Sequence, residues 1–246
     1  MNVIKARGFV IKEFEASESD KRLVVLCKGY GRMTVYARGA KKPNSKFLSA
    51  AQLFAYSDYV LAQGRGFYSL TQADVIRSFY EVREDYDSLM AAHLFAEVCN
   101  KSTYVEANLD ELMFLTLTSL SKLTKKTCPP SQVSTVFLYR ALAFHGLKPI
   151  IYACASCKKP WGDFGDSFYV AAEGLVCHGC GMQKRAVPVS KAALYALSHI
   201  LESQLNDAYR FEAVEGTLDN LMRVALFLWE AHFDITANIN FIPSSK

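Results

Sequence analysis

A chain of 246 residues that is 51% hydrophobic and 21% charged has room for one large or two smaller domains and can bury a sizeable core. Its net charge of +4 and pI near 8.6 are only mildly basic, so any electrostatic role must come from the distribution of charge. The best apolar stretch, 133–147, is shorter than the roughly 20 residues of a bilayer span and is broken by Arg140 and His145, and the first residues lack the apolar core of a secretory leader.

Up to about Ser78 the periodicity predicts strands over 3–14, 22–27, 33–37, 54–61 and 67–75, separated by Gly29-Tyr30-Gly31, the stretch 39–45 and Gly64-Arg65-Gly66. Five short strands predict a small barrel, and the pattern fits an OB-fold or an SH3-like barrel equally. No acidic residue occurs between Asp20 and Asp58, while Lys21, Arg22, Lys28, Arg32, Arg38, Lys41, Lys42 and Lys46 all lie there. Positive charge with Tyr30, Tyr36 and Phe47 interleaved suits single-stranded nucleic acid, since cations follow phosphates and rings stack on bases. The plainer alternative is a solvated strand face with core aromatics. Strand alternation leaves open which side Tyr36 and Arg38 take.

Beyond Ser78 the period becomes helical. Asp85 to Lys101 aligns Leu89, Ala92, His93, Ala96 and Cys99, with His93 read as a hydrogen-bonded interior histidine. Asn108 is placed to cap a helix with Leu109, Leu112, Met113, Leu120 and Leu123 on its stripe, ending before Pro129-Pro130. A helix over 131–144 closes at Gly146 and Pro149, and further helices are predicted over 190–203 and from a Thr217 cap through Leu221, Val224, Ala225, Leu228 and Trp229.

Between these helices stand Cys154-Ala-Ser-Cys157 and Cys177-His-Gly-Cys180, two pairs whose separation suits a single four-thiolate zinc site. Phe168 to Ala171 and Leu175-Val176 around Glu173-Gly174 predict a hairpin returning the second knuckle to the first. A redox dithiol needs only one pair, and haem attachment needs a histidine where Lys158 and Gly181 stand. Four thiolates leave no open position for catalysis, and Ala153 and Val176 stand where a zinc deaminase needs proline. His178 is read as solvent-facing. Cys27, Cys99 and Cys128 read as free thiols of a reducing compartment.

The stretch Ala37-Arg-Gly-Ala-Lys-Lys-Pro-Asn-Ser-Lys46, with Glu18-Ser-Asp20, Gly31-Arg32, and Gly146-Leu-Lys-Pro149 leading to the cysteine pairs, resembles the RecO family of bacterial recombination mediators. Lys158 departs from the pattern, standing where a glycine commonly follows the first knuckle. The resemblance implies an α+β chain: an N-terminal five-stranded OB-fold barrel at 1–78, then a helical domain at 79–246 interrupted by a zinc module at 150–185. It implies a cytoplasmic, nucleoid-associated, non-catalytic DNA repair protein that binds single- and double-stranded DNA and anneals complementary strands. With RecR it would assist RecA on DNA coated by single-strand-binding protein, whose C-terminal tail is a further expected partner, as is RecF; no membrane role is implied. Lys28, Arg32, Arg38, Lys41, Lys42 and Lys46 are the candidate phosphate contacts and Tyr30 the candidate stacking ring; Lys184, Arg185 and Lys191 are candidates to extend the track. The expected metal set is Cys154, Cys157, Cys177 and Cys180, holding one structural zinc. A zinc-dependent hydrolase of nucleic acid and a zinc-containing interaction adaptor without DNA binding are the competing readings.

Overall fold

The computed structural model describes residues 2–103, 108–165, 167–214 and 216–233, and the chain divides into two compact units, Met1–Thr124 and Lys125–Lys246. In the first, β1 (Val3–Glu15), β2 (Lys21–Cys27), β3 (Gly31–Ala37), β4 (Tyr56–Gln63) and β5 (Tyr68–Arg77) close a barrel in the order β1-β2-β3-β5-β4. All neighbours are antiparallel except β3 and β5, which meet in parallel at only two residue pairs, Val35 with Tyr68 and Tyr36 with Ser69. This Greek-key closure of five strands is the OB arrangement.

Strand β1 serves two neighbours because a register shift between Val10 and Lys12 bends it across the barrel. Alternation along β3 sends Met33, Val35 and Ala37 inward and Arg32, Thr34 and Tyr36 outward. The inward set packs with Val10, Leu23, Val25, Tyr59, Leu61 and Leu70.

The connection 38–55 is a plug rather than a free loop. Ala40, Ala50, Ala51 and Ala55 are buried, their small side chains letting the backbone close on the barrel end, and the Tyr59 hydroxyl donates to the Ala50 carbonyl at 2.9 Å. Phe47, expected among the cations as a ring for bases, is 7% exposed and belongs to this core.

A 3-10 turn at Tyr80–Glu84 leads to α1 (Tyr86–Ser102), capped by the Asp85 carboxylate accepting from the Ser88 amide at 2.8 Å. After it comes α2 (Asp110–Thr124), where the Asn108 side chain accepts from the Asp110 amide. Both helices share the barrel's compact unit: Arg32 donates to the Asn100 carbonyl, Arg83 to the Leu53 carbonyl, and Arg77 to Thr124. The units therefore divide near Thr124 rather than where the sequence period changes at Ser78. His93 of α1 is exposed, its ring edge-on to the buried Phe54, rather than enclosed in the interior.

The second unit holds α3 (Pro130–Phe144), α5 (Lys191–Glu202) and α6 (Thr217–His232), with α4 (His178–Gly181) and the strands β6 (Phe168–Ala171), β7 (Gly174–Val176) and β8 (Val187–Val189) between α3 and α5. Residues 131–139 of α3 are all buried; Tyr139 donates to the Leu221 carbonyl, and the fully buried Trp229 of α6 donates to the Leu138 carbonyl. Ser190 caps α5 through the Ala193 amide. At α6 the cap position belongs to Gly216, in a left-handed conformation, and Thr217 is the first helical residue rather than the cap. No described helix is long and apolar enough to cross a membrane.

Candidate nucleic-acid interface and metal centre

The outward residues of β2 and β3 form one surface. Register pairs Arg22 with Tyr36, Val24 with Thr34 and the fully buried Leu26 with Arg32, so a strip runs from the β2–β3 turn, which carries Lys28 and Tyr30, toward Arg38 at the end of β3. Seven residues of strand give it a length of about 20 Å. A groove of about 450 Å³ opens along it, with Val24, Tyr30, Arg32, Thr34, Gly66 and Tyr68 among its walls. Tyr30 is 43% exposed at one end. Farther along, Tyr36 packs on Phe67 from the β4–β5 turn, ring centroids 4.9 Å apart.

The predicted cations fall into two groups at opposite ends of this strip. Lys28 and Arg32 stand with Tyr30 at the turn, although Arg32 spends one N–H on the Asn100 carbonyl at 2.7 Å. Arg38, Lys41, Lys42 and Lys46 sit on the plug at the other end. Lys41 is ion-paired with Glu15 at 3.1 Å, and Lys46 donates to the Thr71 carbonyl while lying over the Phe47 ring. Lys28, Arg38 and Lys42 are exposed and form no salt bridge among the described residues.

Backbone contacts hold the plug in register. The Asp20 carboxylate accepts from the Gly39 amide at 2.7 Å, and the Lys41 amide donates to the Ser19 carbonyl. The Gly39 hydrogen bond holds the Asp20 carboxyl below its ordinary range, helped by the Ser19 and Ser17 hydroxyls and by the charge of Arg38.

Arg22 and Tyr36 of the cationic segment face outward on this surface, and three side chains beyond that segment escaped the sequence reading. Arg22 is exposed with its guanidinium 4.7 Å from the Phe14 ring, Arg65 and Phe67 come from the β4–β5 turn, and Tyr68 opens β5. The available signal was Gly64-Arg-Gly-Phe-Tyr68, a glycine-flanked cation running straight into two rings.

In the second unit the four cysteines converge. Their sulfurs lie within 4.8 Å of one another, and Cys157 and Cys177 are 3.8 Å apart, the edge of about 3.8 Å that a tetrahedron with metal–sulfur bonds near 2.3 Å requires. The knuckle is held by the Cys157 amide donating to Cys154 sulfur and the Cys154 amide donating to the Lys159 carbonyl. Burial raises the Cys154 thiol, but the amides of Cys157, Cys177 and Ser156 outweigh it and bring the group down to about 6. Cys180, sharing hydrogen bonds with Cys177 and Cys157, is pushed up to about 12. Thiols this close cannot all ionise together without a cation between them, so the group could hold a metal ion.

Lys158, in the place of the expected glycine, takes a left-handed conformation with φ of 64°, and its ammonium donates to the Ala155 carbonyl at 3.0 Å. His178 is exposed beside the Tyr169 ring, in keeping with a non-ligand. Of the candidates for an extended cationic track, Lys184 pairs with Glu173 and Arg185 with Glu230, which leaves Lys191 without a salt bridge among the described residues.

Comparison with known proteins covers nearly the whole chain. Residues 1–79 match the family described as "Recombination protein O N terminal" and residues 83–235 the one described as "Recombination protein O C terminal". A DNA repair protein RecO of Acetivibrio thermocellus is 32% identical over 228 residues, 92% of this chain and 90% of that protein. The RecO of Alkaliphilus metalliredigens is 26% identical over 99% of both chains, and that of Bacillus subtilis 31% over 72% of this chain and 68% of its own. Matches to both halves in sequence order, and this level of identity over nine-tenths of the length, mean that the chain belongs to the RecO family of DNA repair proteins.

Proposed function

We propose that this DNA repair protein is a non-catalytic mediator that binds single-stranded DNA along the outer face of β2 and β3, also engages duplex DNA, and anneals complementary strands. The observation that carries the reading is the strip itself: Tyr30, Tyr68 and Tyr36 lie along the β2–β3 face between Lys28 at the turn and Arg22, Arg38 and Lys42 at the other end. Rings of this kind stack bases without regard to sequence, and flanking cations lower the repulsion between two phosphate backbones, which is what annealing requires. A β2–β3 face bordered by the β4–β5 turn is also the surface on which OB barrels commonly take oligonucleotides.

In this reading the four-thiolate group takes one zinc ion, which shapes the second unit and takes no part in bond breaking. RecR, RecA loading on DNA coated by single-strand-binding protein, that protein's C-terminal tail, RecF, and a place at the bacterial nucleoid belong to the proposal through the family. The proposed division of labour assigns DNA to the barrel at 1–78 and the metal to the module at 150–185. An adaptor reading has one observation in its favour, since Lys21 and Lys41 are already paired with Glu13 and Glu15.

The test is binding of fluorescently labelled oligothymidylate to the full chain. Tyr30→Ala, which removes an exposed ring, should weaken binding about tenfold if one base stack is lost. Unchanged affinity in a Lys28→Ala, Tyr30→Ala double variant would remove the barrel face from the site, and no complex at low salt would favour the adaptor.

A further inference from the structure

The zinc module carries aromatic surface that the barrel reading does not use. Tyr152 and Tyr195 are 56% and 57% exposed, and half-buried Trp161 joins both, through its ring to Tyr195 and through its amide to the Tyr152 carbonyl. The Trp161 ring lies 5.4 Å from that of Tyr195 at 77°, and the Tyr152 hydroxyl is 3.4 Å from that of Ser198, one turn beyond Tyr195 on α5.

The metal knuckle sets this arrangement. Tyr152 and Trp161 lie on the two arms that enter and leave the Cys154–Cys157 turn. The arms are joined by a bridge between Ala153 and Pro160, by the Cys154 amide on the Lys159 carbonyl, and by the Trp161 amide on the Tyr152 carbonyl. Closing the thiolates on an ion fixes the turn, and the turn fixes the two rings beside α5.

Charge accompanies the rings. Lys158 and Lys159 precede Trp161 on its arm, and Lys191 lies one helical turn before Tyr195 on the same side of α5; all three are exposed and form no salt bridge among the described residues. Against them stands the exposed Asp163, while Glu202 at the far end of α5 is taken by Lys148 at 2.6 Å. Exposed rings with unpaired cations match a polyanion that has flat apolar faces.

We propose that Tyr152, Trp161 and Tyr195, with Lys158, Lys159 and Lys191, form a second platform for single-stranded nucleic acid, separate from the barrel face and organised by the metal knuckle. A protein with two such platforms could hold two strands at once, one on each unit.

The chain supplies its own reporter. Trp161 and Trp229 are its two tryptophans, and Trp229 is fully buried in the helical core, so emission quenched by an added oligonucleotide reads Trp161 and is blind to the barrel, which has none. Titrating the zinc-loaded full chain with oligothymidylate should quench this emission, and Tyr195→Ala or Lys191→Ala should raise the midpoint, by about tenfold for the lost ring. Stripping the ion with a chelator should abolish the quench while labelled-oligonucleotide binding by the barrel persists. Unquenched emission under conditions where labelled oligonucleotide is bound would overturn the second platform and leave the barrel reading intact. Stronger quenching by an acidic peptide than by oligothymidylate would overturn it in favour of a protein-docking surface. Quenching that survives Lys28→Ala, Tyr30→Ala supports it independently of the barrel.

Discussion

The Asp20 carboxylate and the Gly39 amide, 2.7 Å apart, tie the entry of β2 to the first turn of the basic plug. It acts with the Lys41 amide on the Ser19 carbonyl and the Lys21 ammonium on the Ala51 carbonyl to fix where Arg38 and Lys42 stand relative to the strand face. Asp20→Ala should therefore raise amide exchange at Gly39 and Lys41 and weaken DNA binding without unfolding the barrel. Equal exchange in variant and wild type would show that the plug is positioned by its other contacts, the buried alanines and the hydrogen bonds to Ser19 and Lys21.

The same bond has a pH signature. The folded Asp20 carboxyl is held below its ordinary value by the Gly39 amide. Its contribution to stability is complete above the unfolded value of about 3.9 and disappears as pH falls through the folded value. Thermal melts between pH 5 and 2 should accordingly show a shallower acid decline for Asp20→Ala than for wild type, and parallel curves would contradict this.

Lys41 and Lys42 are neighbours in sequence but differ in circumstance, since Glu15 holds the first and leaves the second free. Lys42→Ala should reduce the salt slope of single-strand binding by about 0.7. Glu15→Gln should do the reverse, freeing Lys41 and tightening binding at low salt. A Glu15→Gln variant that binds no better would place Lys41 outside the contact surface.

Cys157 is the most exposed of the four clustered cysteines, so it can be altered with little direct effect on packing. Cys157→Ser should lower bound zinc and the melting temperature of the second unit together, because metal binding and folding are coupled. Metal analysis returning one ion per chain with an unchanged melt would refute the ligand set.

Gly174 must be glycine for two reasons at once. Its φ is 132°, and a Cβ there would sit 2.3 Å from the Ile150 carbonyl oxygen and 2.4 Å from the Ile150 nitrogen. Backbone cannot yield as a side-chain tip would, so Gly174→Ala should cost about 1–3 kcal/mol or more and loosen the bridge between Ile150, on the approach to the first knuckle, and β7, which leads into the second. Lys158 presents the opposite case: a bulky residue at φ of 64°, where Lys158→Gly should stabilise by up to about 1 kcal/mol, less whatever the ammonium on Ala155 contributes. Both are read from calorimetric melts of the zinc-loaded protein.

Much of this molecule could be read in advance because its signals are local. Alternation fixed the five strands, the helical stripes of α2 and α6 are buried as spaced, and two Cys-x-x-Cys turns with a hairpin between them could only bring four sulfurs together. What escaped depends on contacts distant in sequence. Phe47 looked like a stacking ring for bases until the plug folded it into the barrel core, and the outward Tyr36 met its neighbour only when the β4–β5 turn some thirty residues later delivered Phe67. The period change at Ser78 marks a change of secondary structure, yet Arg32, Arg77 and Arg83 bind α1, α2 and the barrel into one unit. Nothing in the spacing of Tyr152, Trp161 and Tyr195 announces their proximity, because it passes through the metal knuckle.

The seam between β3 and β5 is two rungs long, so the cylinder is least secure at the point where Tyr36 meets Phe67. A polymer lying across that face would act as a clasp, since parting the two strands would first require peeling it off. Grip and barrel integrity would then reinforce each other: the longer the occupant, the slower the amides of Val35, Tyr36, Tyr68 and Ser69 trade hydrogen with solvent.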